Sequence, residues 1–300
     1  TLSTVECLCA CEAAPVMQVN DRYVGPITAD VISTLVNDPQ QLASAPLMFQ
    51  GTPGLVEPII SKRFTLKDSH VLDTYLRDDG YQAARKAITQ MTPEQVIAEV
   101  TKSNLRGLGG AGFPTGKKWS FIPKDTTTPK YLVVNADEGE PGTIKDRYII
   151  AKDPHRLIEG IIIAAHATGC RKAYIYIRGE YAEPARILQQ AVEDAYKHNI
   201  LGEKMFGTAM SLELVVHRGA GAYICGEESA LLESLEGKKG FPRLRPPYPA
   251  ISGLFACPTL INNVETLAFV PSIIQKGGEW FAKHGYGKTG GTRLFSLSGH

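Results

Sequence analysis

The second half of the chain alternates short β-branched runs with amphipathic helical stretches. Apolar runs predict strands at 131–135, 173–178 and 212–216. Helical spacing predicts helices at 153–169, 183–197 and 227–236. This strand–helix repeat is typical of a parallel sheet covered by helices, so the predicted fold class is α/β. Ligands of such sheets bind outside the carboxyl ends of the strands, which directs attention to the loops after Val134 and Val216.

The first half is mainly helical. Residues 57–103 have helical spacing, and a capping box at Thr92 predicts a helix through Val100. Residues 16–20 predict a strand that turns at 21–22, and residues 28–36 a capped helix. A strand pair and one helix are too small to bury a core, so we expect further residues before Thr1.

Three further stretches complete the pattern. Residues 40–55 combine Pro and Gly with little periodicity and are interpreted as a linker. Asn262 and the residues that follow predict a helix through Ile274. Residues 293–298 predict a strand that finds no partner before His300, so we also expect further residues beyond that end.

The composition limits the choice of partners. Lys plus Arg number 32 and Asp plus Glu 31, so no net field recruits nucleic acid or an anionic membrane, and an anionic ligand must be held by local groups. The longest apolar run, residues 161–165, is far shorter than the ~20 residues of a membrane span. We therefore expect no nucleic-acid partner and no membrane span.

A glycine-rich loop lies within residues 103–119, with glycines at 107, 109, 110 and 112. Without Cβ atoms, its backbone can approach a flat or phosphorylated ligand. The glycines match the letters of the dinucleotide fingerprint, which should follow a strand and open a helix. A helix precedes this loop, and Phe113 is biased away from helix by Pro114, so we expect neither feature. We predict a loop folded over a different ligand; a surface turn without a ligand is the alternative.

The loops at the strand ends carry carboxylates. Asp137, Glu138 and Glu140 follow the first predicted strand. They form either a solvated turn or a metal site, or they accept hydrogen bonds from ribose hydroxyls, a carboxamide or an isoalloxazine N–H of a ligand. Residues 219–229 place glycines before a helix, as an anion site requires, but Glu227 and Glu228 also fit a helix capped by its own acids. Cys225 is interpreted as a small buried hydrophobe.

Two further groups of side chains suggest chemistry. Arg243, Arg245 and Tyr248 lie in a Pro-rich loop that suits a phosphate and an adenine, or equally a partner contact. Cys7, Cys9 and Cys11 occupy every second position; in an extended segment they would face one way, as an iron–sulfur cluster requires. Three cysteines do not complete a four-thiolate site, so at least one ligand must come from elsewhere.

Four long motifs, the glycine loop and residues 135–147, 219–228 and 262–265, together resemble the NADH-oxidising flavoprotein subunit of respiratory complex I. Its relatives in NAD-dependent formate dehydrogenases and NAD(P)-linked hydrogenases are similar. The resemblance extends from residue 57 to residue 300. It implies a Rossmann-like fold that binds FMN, with NADH stacked on the flavin. It also implies hydride transfer from NADH to FMN, then one-electron transfer to iron–sulfur clusters, as in NADH:quinone oxidoreductase.

The resemblance assigns site residues motif by motif. It implies FMN contacts from Gly107, Gly109, Gly110, Lys118, Asn135, Asp137, Glu138, Tyr223, Gly226, Glu227, Asn262 and Asn263. It implies NADH contacts from Phe113, Phe121, Glu140, Glu228, Arg245 and Tyr248. Lys118 would favour reduced flavin, Glu140 would influence NADH binding or NAD⁺ release, and no side chain need act as acid or base.

Residues 5–36 resemble the end of the thioredoxin-like [2Fe-2S] subunit of the same complexes. Cys7 and Cys11 match its second pair of cluster ligands, and Cys9 stands where the family usually has Gly. The resemblance implies that the first pair lies upstream of Thr1, and that the ligands of a [4Fe-4S] cluster lie beyond His300.

The resemblance also implies a domain organisation and an assembly. The expected segments are the end of a thioredoxin-like [2Fe-2S] domain at 1–38, a linker at 39–56 and a helical segment with the glycine loop at 57–115. An FMN/NADH-binding domain at 116–283 and the start of a β-grasp domain at 284–300 follow. The expected partners are NADH and iron–sulfur subunits, in the cytoplasm or on the inner face of an energy-transducing membrane.

Two departures concern the parent assembly. Leu108 stands where the family commonly has Arg, and Arg245 and Tyr248 stand where complex I members commonly have Lys and Phe. The second difference brings that loop closer to the formate dehydrogenase and hydrogenase relatives. The alternatives to a complex I component are therefore a diaphorase of such an enzyme, and a non-catalytic assembly scaffold.

Overall fold

The computed structural model describes residue 5 and residues 7–45, 57–124 and 127–296. Most of the predicted linker lies outside the described residues. Near the N-terminus, β1 (Met17–Val19) and β2 (Arg22–Val24) pair antiparallel, and α1 (Ala29–Asn37) follows. The Thr28 hydroxyl accepts a hydrogen bond from Val31 N and caps α1. The predicted hairpin and capped helix are confirmed.

Among the described residues, four further α-helices lie between α1 and the main sheet: α2 (Leu72–Arg77), α3 (Gln82–Gln90), α4 (Pro93–Lys102) and α5 (Thr115–Ser120). The predicted capping box is present at the start of α4, between Thr92 and Gln95. The expectation that the glycine loop opens no helix is wrong, because α5 begins directly after it. Pro114 is the N-cap of α5, so its bias against helix at Phe113 does not prevent a helix from starting at Thr115.

The main sheet has four parallel strands in the order β5-β4-β3-β6. These strands are β3 (Tyr131–Ala136), β4 (Lys172–Ile177), β5 (Glu213–Arg218) and β6 (Thr259–Asn263). The α/β class and the first three strands are confirmed. The fourth was missed: Asn262 and Asn263 end a buried strand, and the helix predicted from Asn262 begins at Val264 with Asn263 as its N-cap.

Six helices accompany the sheet: α6 (Asp146–Lys152), α7 (Pro154–Thr168), α8 (Ala182–Lys197), α9 (Glu228–Leu235), α10 (Val264–Lys276) and α11 (Gly278–Lys283). Helices α7 and α10 pack so closely that a Cβ on Gly160 would lie 2.1 Å from the carbonyl oxygen of Leu267. Helix α6 was not predicted. Among the described residues, no helix is both long and apolar enough to span a membrane.

The strand predicted at 293–298 is wrong for its described part, residues 293–296. Leu294 N donates to the Glu265 carboxylate at 2.9 Å, and Ser296 Oγ accepts from Ile144 N at 2.9 Å. These bonds to side chains take the place of a strand ladder. Residues 297–298 lie outside the described residues.

Candidate functional site

A cleft of about 640 Å³ opens at the carboxyl ends of β3 and β6. Strand β3 lies between β4 and β6 in the sheet. The chain continues from β3 to β4 along one edge of β3 and later returns to form β6 along its other edge, so the cleft lies at a topological switch point. Its walls are Leu108, Gly109, Gly110, Asn135, Asp137, Glu138, Gly139, Glu140, Thr143, Lys145, Asp146, Tyr223, Ile224, Gly226, Glu227 and Asn263. The loops predicted after the first and third strands therefore meet at one site.

Nine of the twelve residues expected to contact FMN line this cleft: Gly109, Gly110, Asn135, Asp137, Glu138, Tyr223, Gly226, Glu227 and Asn263. Glu140 joins them from the residues expected to contact NADH. The other expected contacts are outside the lining: Gly107, Lys118, Asn262, Phe113, Phe121, Glu228, Arg245 and Tyr248. Thr143, Lys145 and Asp146 also line the cleft but were not predicted; they belong to the loop and the helix start that follow β3.

One wall of the cleft is glycine backbone. Gly110 has φ +111°, in the region that favours glycine, and a Cβ on Gly109 would lie 3.3 Å from the Cβ of Asn263. Backbone and side-chain hydrogen bonds hold the loop: Gly107 N donates to Phe113 O at 2.8 Å, and Leu108 N donates to Thr266 Oγ1 at 2.9 Å. The loop therefore presents a fixed backbone surface to the cleft.

Glu138 is engaged by the start of α6. Its carboxylate accepts backbone hydrogen bonds from Lys145, Asp146 and Arg147 at 2.9, 2.8 and 3.1 Å, and a fourth from the Tyr181 hydroxyl at 2.8 Å. Burial raises the pKa of Glu138 to about 7, and the charge of Asp146 acts in the same direction. Although Glu138 lines the cleft, these four donors occupy its carboxylate.

Lys145 is a cation built into the cleft wall. Its Nζ lies 2.7 Å from Asp146 Oδ1 and 3.1 Å from Glu265 Oε2. Burial alone would lower the pKa of Lys145, but the Asp146 and Glu265 carboxylates raise it above its ordinary value, so the amine stays charged. The sequence signal was weak, because a Lys–Asp pair outside any predicted element is typical of a surface turn.

The mouth of the cleft holds a network of ion pairs. Glu227 caps α9 by accepting from Ser229 N and Ala230 N, both at 2.9 Å, so the helix is capped by its own acid. Arg245 pairs with both Glu227 and Glu228. Lys118 Nζ lies 3.2 Å from Glu228 Oε2. Lys118 and Arg245, each expected to contact FMN or NADH, therefore both pair with Glu228, which is itself an expected NADH contact.

Two further contacts join predicted residues to one another. The rings of Phe113 and Phe121 are 5.9 Å apart between centroids, and Tyr223 Oη donates to the Glu140 carboxylate at 2.6 Å. Arg243 has a bracing role, since it pairs with Glu233 and Glu236 and donates to Gly253 O. Cys225 is buried, as predicted.

The cysteine segment is not extended at Cys9, so the condition under which its three cysteines would face one way is not met, although Cys9 Sγ lies 3.7 Å from Cys7 Sγ. Cys9 has φ +51° and a buried side chain, whereas Cys7 and Cys11 are partly exposed. Burial raises the pKa of the Cys9 thiol to about 12. Within the part of the chain that the structure describes, no group of three or more His, Cys, Asp or Glu is placed to hold a metal ion.

Comparisons with known proteins identify the family to which most of this chain belongs. The profile of the Nuo51 FMN-binding domain matches residues 100–272, and that of the thioredoxin-like [2Fe-2S] ferredoxin matches residues 1–40. An NADH-quinone oxidoreductase subunit of Rhizobium meliloti is 53% identical over 82% of this chain and 58% of its own length. The NADH-quinone oxidoreductase relative in Mycobacterium tuberculosis is 55% identical over 84% and 57%.

A solved structure, an NAD⁺-reducing [NiFe]-hydrogenase in the H₂-reduced state, is also similar, with 34% identity and a TM-score of 0.77. The structural match covers 95% of this chain and 47% of the hydrogenase chain. The chain thus spans just over half the length of the curated relatives it matches. With more than half of its residues matched by one profile, the chain belongs to the Nuo51 FMN-binding domain family.

Proposed function

We propose that this chain is the FMN- and NADH-binding part of an NADH:acceptor oxidoreductase, a diaphorase module. The observation that carries the proposal is the cleft at the switch point, because its lining comes from the region that the FMN-binding profile matches. When bound, FMN would accept a hydride from NADH and release the electrons one at a time to iron–sulfur clusters.

The residues present fit a flavin. The volume of about 640 Å³ lies within the roughly 300–1,000 Å³ of ligand pockets. The wall at Gly109 and Gly110 has no side chain to keep a flat ring away. Asp137 supplies a carboxylate at the end of β3, suited to ring N–H groups and ribityl hydroxyls, and the Asn135 amide holds this loop by donating to Gly226 O at 2.8 Å and accepting from Asp137 N at 3.1 Å. Lys145 is the cation within the lining described above, and the glycine backbone supplies N–H groups for a phosphate.

The protein's part in the reaction is to bind and orient. We propose that NADH is contacted by Glu140 in the cleft lining, by the Glu228–Arg245 ion pair, by Tyr248 and by the Phe113–Phe121 pair. Lys118 would bring positive charge towards the flavin side of the mouth of the cleft. No described side chain is required to transfer a proton for this chemistry.

We further propose iron–sulfur partners for the electrons. Cys7 and Cys11 would be two ligands of a [2Fe-2S] cluster, in agreement with the ferredoxin profile at residues 1–40. A [4Fe-4S] cluster and further iron–sulfur subunits would belong to the same assembly. We propose that this assembly is cytoplasmic or peripheral on the inner face of an energy-transducing membrane, and that the segment boundaries are those predicted above.

Two parent assemblies are supported by different observations. The 53–55% identity to the NADH-quinone oxidoreductase relatives favours a complex I-like enzyme. The hydrogenase chain covers 95% of this chain, against 82% for the Rhizobium meliloti relative, which favours a diaphorase with the ferredoxin segment and flavin domain in one polypeptide. We favour the complex I-like enzyme because the sequence identity to the NADH-quinone oxidoreductase relatives, 53–55%, is higher than the 34% identity to the hydrogenase.

The test is an anaerobic absorbance titration of the full-length protein, supplied with FMN, against NADH. We expect one equivalent of NADH to bleach the visible flavin band, and further electrons to enter iron–sulfur bands. Bound FMN that NADH does not bleach would contradict the enzyme but not the fold. A protein that cannot be reconstituted with FMN would favour a non-catalytic scaffold.

A further inference from the structure

The side chain of Asn263 is held at both of its amide atoms. Asn263 ends β6, lines the cleft and caps α10, where its Oδ1 accepts from Glu265 N at 3.0 Å and from Thr266 N at 3.4 Å. The same Oδ1 accepts from Lys145 Nζ at 3.3 Å, whereas Nδ2 donates to Asp146 Oδ2 at 2.6 Å. The start of a helix, a lysine and an aspartate therefore all fix one amide in the cleft wall.

Lys145 links this amide to two buried carboxylates. An ammonium group has three N–H donors. The three donors of this side chain are matched by Asp146 Oδ1 at 2.7 Å, Glu265 Oε2 at 3.1 Å and Asn263 Oδ1 at 3.3 Å. Because protein acceptors occupy all of them, Lys145 acts on a ligand of the cleft through its partners and not by a hydrogen bond of its own.

These contacts determine which hydrogen-bonding group Asn263 can offer to a ligand. A rotation that exchanged the amide oxygen and nitrogen would place an NH₂ group against Lys145 Nζ and the first N–H groups of α10, and an oxygen against the Asp146 carboxylate. Each of these contacts would then set donor against donor or acceptor against acceptor. Nδ2 has two hydrogens, and Asp146 Oδ2 is its one acceptor among the described residues. Asn263 therefore has an N–H to offer in the cleft, while its oxygen is already used.

We propose that Lys145 is a positioning residue for flavin binding, which locks the Asn263 amide so that this side chain binds FMN as a hydrogen-bond donor to a carbonyl, hydroxyl or phosphate oxygen. This role of Lys145 rests on the proposed function, in which the cleft binds FMN. Without Lys145, the amide loses one of the contacts that fix it, and Asp146 and Glu265 lose the cation that they share. FMN then binds more weakly although Lys145 itself does not contact it.

The experiment measures the dissociation constant of FMN from the quenching of flavin fluorescence by the full-length protein, without NADH. Lys145→Met removes the three donors and is expected to weaken FMN binding about two- to tenfold, the effect of losing one neutral hydrogen bond. Asn263→Ser removes the amide but keeps a side chain that can cap α10, and is expected to weaken FMN binding at least as much. The matched control is Lys152→Met at the other end of α6, outside the cleft lining, which should leave the dissociation constant unchanged.

The double variant Lys145→Met/Asn263→Ser distinguishes positioning from direct contact. If Lys145 acts through the Asn263 amide, the double variant binds FMN no more weakly than Asn263→Ser alone. Losses that add would overturn the proposal, because Lys145 would then act on the flavin independently of Asn263. An unchanged dissociation constant in either single variant would overturn it as well.

Asp146→Asn takes the place of Lys145→Met in the same cycle if circular dichroism shows that Lys145→Met does not fold. This variant keeps the shape of the side chain but has one acceptor oxygen for two donors, Lys145 Nζ and Asn263 Nδ2, so the same pattern of losses is expected. An unsubstituted protein that does not bind FMN would contradict the proposed function itself, which separates that failure from a failure of the role proposed for Lys145.

Discussion

The indole Nε1 of Trp119 donates a hydrogen bond to Oδ1 of Asn262 at 2.9 Å, and both side chains are buried. The bond joins α5, directly after the glycine loop, to β6 at the cleft. Asn262 was expected to contact FMN, but its side-chain oxygen is used to fix the loop's helix against the sheet. We therefore propose that Asn262 stabilises the site by holding α5 against β6 and does not contact FMN.

Replacing Asn262 tests this support. Asn262→Leu leaves the buried Trp119 N–H without its acceptor, which costs about 1–3 kcal/mol of unfolding free energy, measured by urea denaturation. In the double variant Trp119→Phe/Asn262→Leu, the loss should be smaller than the sum of the two single losses. Unchanged stability combined with loss of FMN binding would instead indicate a direct contact between Asn262 and the flavin.

Regular periodicity made the main sheet predictable, and its absence explains what was missed. Strands β3 to β5 and helices α7 to α9 are long enough to show their spacing in sequence. Strand β6 spans five residues, almost all buried, and ends in two asparagines that are typical of a helix cap, so the cap signal outweighed the strand signal. Helix α6 follows a carboxylate-rich turn, and its start is stabilised by Glu138, a contact that no local pattern reveals.

The site was predictable as far as its motifs were contiguous. The loops after β3 and β5 were found because strand ends in a parallel sheet meet at one edge. Lys145 and Asp146 were missed because their importance depends on burial against Glu265 and Asn263, more than a hundred residues away. The spacing of the cysteines left the conformation of their segment open, because the left-handed backbone at Cys9 accompanies burial of its side chain against Arg178, which is distant in sequence.

Lys118 offers a test of flavin binding at the mouth of the cleft. If its charge reaches FMN, Lys118→Ala should weaken FMN binding roughly tenfold or more, since hydrogen bonds to charged groups contribute about 1.5–3 kcal/mol. The measurement is FMN affinity from fluorescence quenching, together with the flavin midpoint potential. Lys117→Ala is the control, because Lys117 is the exposed neighbour on the same helix. An Lys118→Ala protein with unaltered FMN affinity and potential would contradict this role.

Cys9 offers a test of the cysteine assignments. Its φ of +51° favours glycine, so Cys9→Gly relieves about 1–2 kcal/mol of backbone strain while it removes a buried thiol. We expect the [2Fe-2S] EPR signal to persist in Cys9→Gly and to be lost in Cys7→Ser and Cys11→Ser. Loss of the signal in Cys9→Gly, with the fold retained by circular dichroism, would make Cys9 a cluster ligand.

Asp153 should make the stability of the protein depend on pH. Its side chain is fully buried, with Oδ2 3.3 Å from Arg63 Nε, and neither oxygen accepts a hydrogen bond from the described residues. Burial raises the pKa of Asp153 to about 7, although Arg156 and Arg63 oppose the rise. Because the folded state holds this proton more tightly than the unfolded state, the contribution of Asp153 to stability falls as pH rises from about 4 to 7.

The expected size of this effect is about 1.4 kcal/mol for each pKa unit, or roughly 4 kcal/mol for the whole rise, as an upper value. Urea denaturation at several pH values between 4 and 8 would measure it. Asp153→Asn cannot titrate, so its unfolding free energy should fall less over this range than that of the unsubstituted protein. Asp73→Asn, which removes an exposed carboxyl from α2, should leave the pH profile unchanged. Parallel pH profiles for Asp153→Asn and the unsubstituted protein would mean that Asp153 is already ionised at pH 4, with Arg63 and Arg156 outweighing its burial.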